Sequence, residues 1–317
     1  MPGPRPSDRP PTRPSGGRLV AAAPVAALLV NAFVWGVSWW PFRQLQALGL
    51  HPLWATAIIY LLSSAVIAAW RPAALRQLLR EPALWLIFIA SGTTNATFNW
   101  AVAIGDVVRV VLLFYLMPLW AVLLARIILK EPLTARSVAR VVAALVGAML
   151  VLWHGAAPGV SARFGLPEVL ALLGGFSFAL NNVMLRRGAG LPEEGRALAM
   201  FVGGAVVAGG VAMASSGVAW PFGAVAGGGA SAMAGAGLGA AAWALPAFGL
   251  ALAFMASNLC LQYGAARLSA TTTAVVMPME VVFAAVTAVW WGGATLHATV
   301  LAGGALILGA ALAALFE

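Results

Sequence analysis

Runs of roughly 20 mostly apolar residues, the length a helix needs to cross a bilayer, recur along this chain and constrain its fold more than any other feature. Ten are read, at 19–40, 52–70, 82–104, 107–129, 137–154, 166–185, 197–216, 240–264, 270–291 and 298–316. Only Gly105 and Asp106 separate the third from the fourth. Composition agrees: 62% of the 317 residues are hydrophobic and 9% charged, where a soluble domain carries about 25% charged residues. So few charges cannot cover a water-facing surface of this size. The expected fold class is an all-α polytopic membrane protein with ten transmembrane helices.

Residues 1–18 are rich in Pro, Arg and Ser and are expected to form a disordered basic tail. The run after it exceeds a signal-peptide core in length, holds Trp35, Trp39 and Trp40, and lacks a small-x-small cleavage site. It is expected to be a retained first helix. Residues 217–237, rich in Gly, Ala and Ser, are expected to be a flexible connector.

Charge placement tests the count. With the N-terminus inside, fifteen basic residues fall inside: Arg5, Arg9, Arg13, Arg18, Arg71, Arg76, Arg80, Arg126, Lys130, Arg136, Arg140, Arg186, Arg187, Arg196 and Arg267. Only Arg43, Arg109 and Arg163 fall outside. This obeys the positive-inside rule, and one helix more or fewer would scramble it. Both termini are then expected on the inner side. The net charge of +9 is a topology signal rather than a nucleic-acid footprint, because the arginines are spread between apolar runs. His51, His154 and His297 share no metal-ligand spacing and read as interfacial; Cys260, within an apolar run, reads as a small buried side chain.

The chain also repeats itself. Met117-Pro118 recurs as Met277-Pro278, Ala143 and Gly147 match Ala305 and Gly309, and Asn99 sits near the place of Asn258. Two five-helix repeats are expected, at 19–154 and 166–316. An odd helix count makes the second enter the membrane from the opposite side, the inverted build common among secondary transporters, whose sites lie near the midplane between the halves.

The polar residues within the runs are then the candidates for function. Glu280 lies at mid-membrane depth, where an acid costs at least ~2.5–3.5 kcal/mol. Thr273 and Thr287 lie seven residues either side of it, on the same helix face. Two roles are open: a carboxylate that couples protons or holds a substrate amine, and a neutral acid bonded to a neighbouring helix. Trp120 is its repeat equivalent and is expected to line the same cavity. Asn31, Trp35 and Ser38, then Ser91, Asn95 and Asn99, then Asn258 and Gln262, each mark a polar helix face. Together they suggest a cleft between spans one, three, four, six, eight and nine; singly, each fits an interhelical hydrogen bond. Pro118 and Pro278 free the carbonyls of Phe114 and Ala274 and read as hinges or packing kinks. Arg109 reads as an outer-mouth attractor for a substrate carboxylate, or as an interface pair with Asp106. The small-xxx-small faces of spans five and ten, Ala143/Gly147 and Ala305/Gly309/Ala313, read as packing faces that a homodimer could share.

Tyr115-Leu-Met-Pro-Leu-Trp-Ala-Val-Leu-Leu-Ala, followed by Lys130-Glu-Pro-Leu-Thr134 and Gly147, is similar to the pattern of the EamA-like family in the drug/metabolite transporter superfamily: a helix with a central proline, a Gly-Glu-x-Leu-Thr turn, then a small-residue helix. Phe176-Ser-Phe-Ala-Leu-Asn-Asn-Val-Met-Leu-Arg-Arg187 resembles the first helix of a second copy, which departs at Gly293, where the turn glutamate is expected. The resemblance covers roughly 20–316. It implies a secondary transporter of amino acids, amines or related small metabolites, an exporter by alternating access, in the cytoplasmic membrane of a bacterium. A passive facilitator, a membrane enzyme and a lipid-handling protein are the alternatives. No phosphate-binding loop, zinc motif or nucleophile elbow is present, so no cofactor, metal or catalytic residue is expected. The expected partners are a small-molecule substrate and the lipid bilayer.

Overall fold

A computed structural model describes residues 17–130, 135–153, 164–187, 190–215, 217–221, 230–265, 276, 279–293, 295 and 297–313. Their regular structure is entirely helical. In chain order the helices are α1 (Gly17–Val37), α2 (Trp39–Ala47), α3 (Pro52–Trp70), α4 (Pro72–Arg80), α5 (Pro82–Ile104), α6 (Val107–Phe114), α7 (Met117–Leu124), a π turn (Ala125–Leu129), α8 (Ala135–Trp153), α9 (Leu166–Arg187), α10 (Glu193–Ala214), α11 (Ala230–Ala265), α12 (Met279–Gly292) and α13 (Ala298–Ala313).

Six of these stretches are long and apolar enough to cross a membrane: Ala23–Ala47, Pro52–Trp70, Val107–Ile128, Leu166–Leu185, Glu193–Ala214 and Ala242–Leu261. Met279–Gly292 and Ala298–Gly309 are apolar but shorter. The ten expected spans therefore differ from the helices in physical ways. Helix α5 runs 23 residues, but Ser91, Thr93, Thr94, Asn95 and Asn99 dilute its apolar character. The first span reaches past residue 40 to Ala47, after a break at Ser38. The connector expected at 217–237 is helical from Ala230 onward, because alanine is the best helix former and outweighs the glycines among it.

The fourth run is interrupted where Pro118 demands it. Helix α6 ends at Phe114, α7 begins at Met117, and the amide of Leu116 bonds only to Leu113 (3.1 Å). The carbonyl of Phe114, left free by the proline, faces Gly175 of α9, where a Cβ would stand 2.6 Å from it. The π turn then closes on Lys130 at φ 58, and α12 is followed by Gly293 at φ 64. Both residues are in the left-handed region that favours glycine. Gly293 thus serves as a helix-ending residue like Lys130, rather than standing in for a glutamate.

The two ends of the chain interleave. Helix α1 packs on α11 and α12, α3 on α10 and α11, α5 on α9 and α10, α6 and α7 on α9, and α8 on α13. Glycine makes several of these crossings close. A Cβ on Gly147 would lie 2.6 Å from the Gly303 carbonyl, and one on Gly36 would lie 2.6 Å from the Glu280 carbonyl. With no hydrophobic force between helices in lipid, such close packing is what holds them together. The Gly147 face is therefore occupied by α13 of the same chain, whereas Gly309 faces open space. His51 caps α3, its Nδ1 accepting from the Leu53 amide at 3.2 Å. Burial holds that imidazole below its ordinary pKa, which keeps the accepting nitrogen unprotonated.

Candidate functional site

Two polar sites lie inside the bundle, and both adjoin α1. The first is a small cavity lined by Trp35, Tyr60, Asn95, Met200, Phe201, Phe254 and Asn258. The Tyr60 hydroxyl donates to Asn95 Oδ1 at 2.6 Å, and Asn95 Nδ2 donates to the Ser91 carbonyl at 2.8 Å. Helix α5 can present Asn95 this way because Ser91 lies one turn earlier on the same face, and its hydroxyl is 3.3 Å from Asn95 Nδ2. Aromatic rings form the rest of the wall: the Trp35 and Phe254 centroids are 4.6 Å apart, those of Tyr60 and Phe201 5.5 Å. No charged residue is among the lining.

The second site is Glu280. Its carboxylate is buried and accepts from the Tyr115 hydroxyl at 3.2 Å. Helix α12 enters here with Gly36 of α1 against the Glu280 carbonyl, so neighbouring residues of α1 meet the two sites: the Trp35 side chain walls the cavity and the Gly36 backbone touches Glu280. Two turns along α12, Thr287 Oγ1 accepts from Trp39 Nε1 at 3.0 Å. Glu280 and Thr287 are both buried, on one helix face.

The other expected residues are dispersed. Asn31 donates to Ser257 Oγ at 2.7 Å and Asn99 to Thr56 Oγ1 at 3.2 Å. Each thus ties two helices, Asn99 leaves its Oδ1 buried without a partner, and neither lines the cavity. Trp120 packs edge-on to Phe176, centroids 5.6 Å apart, with Nε1 buried and unpaired; it belongs to the α7–α9 contact and not to the cavity. Pro118 stands at the helix break described above. Thr273, Pro278 and the Gln262 side chain lie outside the described residues.

Arg109 has a different partner from the one the sequence suggested. Asp106 caps α6, its Oδ1 accepting from the Arg109 amide at 2.8 Å, but the guanidinium pairs with Glu168 of α9. Arg109 Nε and Glu168 Oε1 are 3.2 Å apart, without hydrogen-bond alignment at Nε, and the pair is largely buried. At the same end Arg43 donates to the Gly105 carbonyl and lies over the Trp39 ring, 4.9 Å from its centroid. This end of the bundle is tied shut between α6 and α9 and between α2 and the α5–α6 turn.

Sequence reasoning missed Tyr60, Tyr115 and Glu168 as members of these sites. A signal existed for the first two: the chain has only 3 tyrosines, and two of them serve the two polar sites. Glu168, an acidic residue in the first turn of α9, carried no comparable signal.

The fold has precedent among solved structures. One crystal structure of a protein matches at TM-score 0.51 over 92% of this chain and 96% of that one, with 19% identity, a likeness of fold alone. No curated protein matches the chain. Residues 23–153 match the model of the EamA-like transporter family.

Proposed function

Since residues 23–153 carry the pattern of the EamA-like transporter family, part of the drug/metabolite transporter superfamily, we propose that this membrane protein is a secondary transporter exporting amino acids, amines or related small metabolites by alternating access. The observation that carries this reading is the pair of polar sites at the seam where the two ends of the chain interleave. The lining of amides, a phenol and aromatic rings offers hydrogen bonds and apolar contact to an organic solute, and at about 40 Å³ the cavity must widen before one enters. The buried Glu280 carboxyl, at a depth where an acid is costly, suits a proton or an ammonium group.

The packing also supports ten spans in two inverted repeats. Exchanging spans one to five for six to ten leaves the pairing pattern unchanged. The contact of α1 with α11 becomes that of α9 with α5. The contact of α1 with α12 becomes that of α9 with α6 and α7. The α3–α10 and α8–α13 contacts map onto themselves. In this reading the Arg109–Glu168 end faces outward and is closed, both termini are cytoplasmic, and the alternation breaks and remakes that pair. Pro118 and Pro278 serve as hinges. The free side of α13 around Gly309 is the remaining seam for a homodimer.

The test is uptake into proteoliposomes against a panel of amino acids, amines and neutral metabolites, with and without a pH gradient. Accumulation driven by the gradient is expected. Transport of a panel member that only equilibrates would make the protein a facilitator, and no transport of any class would end the reading. Labelling of cysteines placed at 71–80 by an impermeant reagent added outside cells would refute the topology.

A further inference from the structure

Helix α4 is too short to cross a membrane, and its three faces have three different characters. Ala74 and Leu78 are buried, and Gln77 sits against Gly195 of α10, where a Cβ would lie 2.8 Å from its Oε1. At 100° per residue, Leu75 and Leu79 form a second face, 48% and 65% exposed. Arg76 and Arg80 form a third, opposite the protein, and are exposed, as is Arg71 at the helix start. None of these three arginines meets a carboxylate among the described residues, where the ion pairs are Arg109–Glu168 and Arg196–Glu193.

The position of α4 says what covers these faces. It joins the ends of α3 and α5 that lie on one side of the bundle, and it is set off from both by Pro72 and Pro82 at their N-terminal turns. Trp70 and Trp85 bracket it, 76% and 44% exposed, as interfacial tryptophans do at headgroup level. A short helix there, with one face on protein, one apolar and one basic, has the character of an interfacial amphipathic segment. We infer that α4 is a binding site for an anionic phospholipid, its phosphate held by Arg76 and Arg80 and its acyl chains laid along Leu75, Leu79 and Trp70. Because α4 packs on α10 as well as on α3 and α5, the bound lipid fixes a joint between the two ends of the chain. The inference requires a membrane protein but not a transporter, so failure of the transport assay leaves it standing.

Native mass spectrometry of the delipidated full chain, titrated with phosphatidylglycerol or phosphatidylcholine, tests it. The wild type is expected to hold phosphatidylglycerol at least about tenfold tighter. Arg76→Gln with Arg80→Gln should weaken that binding roughly thirtyfold, since each basic residue near an anionic surface contributes roughly fivefold. The charge-matched control, Lys130→Gln with Arg187→Gln, should lose less than about threefold. Leu75→Ser with Leu79→Ser should weaken both lipids. Equal losses in the two arginine and control pairs, or equal binding of the two lipids by the wild type, would overturn the site. Displacement by inorganic phosphate at the same phosphate concentration would do so too, because it would reveal an anion site without a lipid. A photoactivatable phosphatidylglycerol applied to wild type should label residues 70–80, which settles the matter if a variant does not fold; labelling confined to other segments refutes it.

Discussion

The two polar sites, the cavity at Trp35 and the Glu280 carboxyl, are built on opposite terms. In the cavity, Tyr60, Asn95 and Ser91 form a chain of neutral hydrogen bonds. At the second site a single ionisable group is buried with one phenol 3.2 Å away, and nothing else shown there donates to it. Neutral networks in a membrane contribute only about 0.6 kcal/mol per bond, so the cavity can exchange partners at little cost. A buried carboxyl is far more sensitive, because a change of protonation alters its solvation by several kcal/mol. The contrast suggests a division of labour: the cavity recognises and Glu280 responds.

The largest effect should come from Glu280→Gln, which keeps the shape and removes the titration. At least about a tenfold loss of gradient-driven transport, near 1.4 kcal/mol, is expected in purified, monodisperse protein, together with loss of the pH dependence. Full activity with an unchanged pH profile would make Glu280 a structural hydrogen-bonder and collapse the contrast. If instead an amine binds there, affinity should fall while pH-independent exchange survives.

Asn95→Leu should act on the other side of the comparison. In the proposed function the Asn95 amide meets the solute, so its removal is expected to raise KM roughly fivefold, the equivalent of about one net hydrogen bond, while leaving the pH profile of transport unmoved. A shifted profile would show that the two sites are one.

Tyr115→Phe should be milder than Glu280→Gln, since the carboxyl remains. A roughly twofold to threefold change in rate, from one hydrogen bond of about 0.6 kcal/mol, is expected in initial uptake. A loss as large as that of Glu280→Gln would make the phenol part of the responding group.

The smallest effect is reserved for Tyr60→Phe. It frees Asn95 Oδ1 and should cost about 0.6 kcal/mol in thermal unfolding in detergent, with little change in the response to pH. A cost several times larger would mark the amide network as scaffold rather than binding surface.

The membrane-embedded helical class and the polar faces were legible in the sequence because they rest on local properties. Twenty apolar residues must span or be buried, Pro118 must free a carbonyl, and Ser91, Asn95 and Asn99 must share a face at 3.6 residues per turn. The helix break at Tyr115–Leu116 follows from the same reasoning. What spacing along one helix cannot give is the identity of the facing helix. Thus Asn31 meets Ser257 and Asn99 meets Thr56, while the Arg109 guanidinium pairs with Glu168 and only its backbone amide with Asp106. Trp120 went to Phe176, away from the cavity. These pairings are between residues far apart in the chain, and only the interleaved packing decides them. Glycine is the physical reason for that packing: Gly36, Gly147 and Gly175 let backbones approach to distances that any larger side chain would forbid, and those approaches fix which polar groups can reach one another.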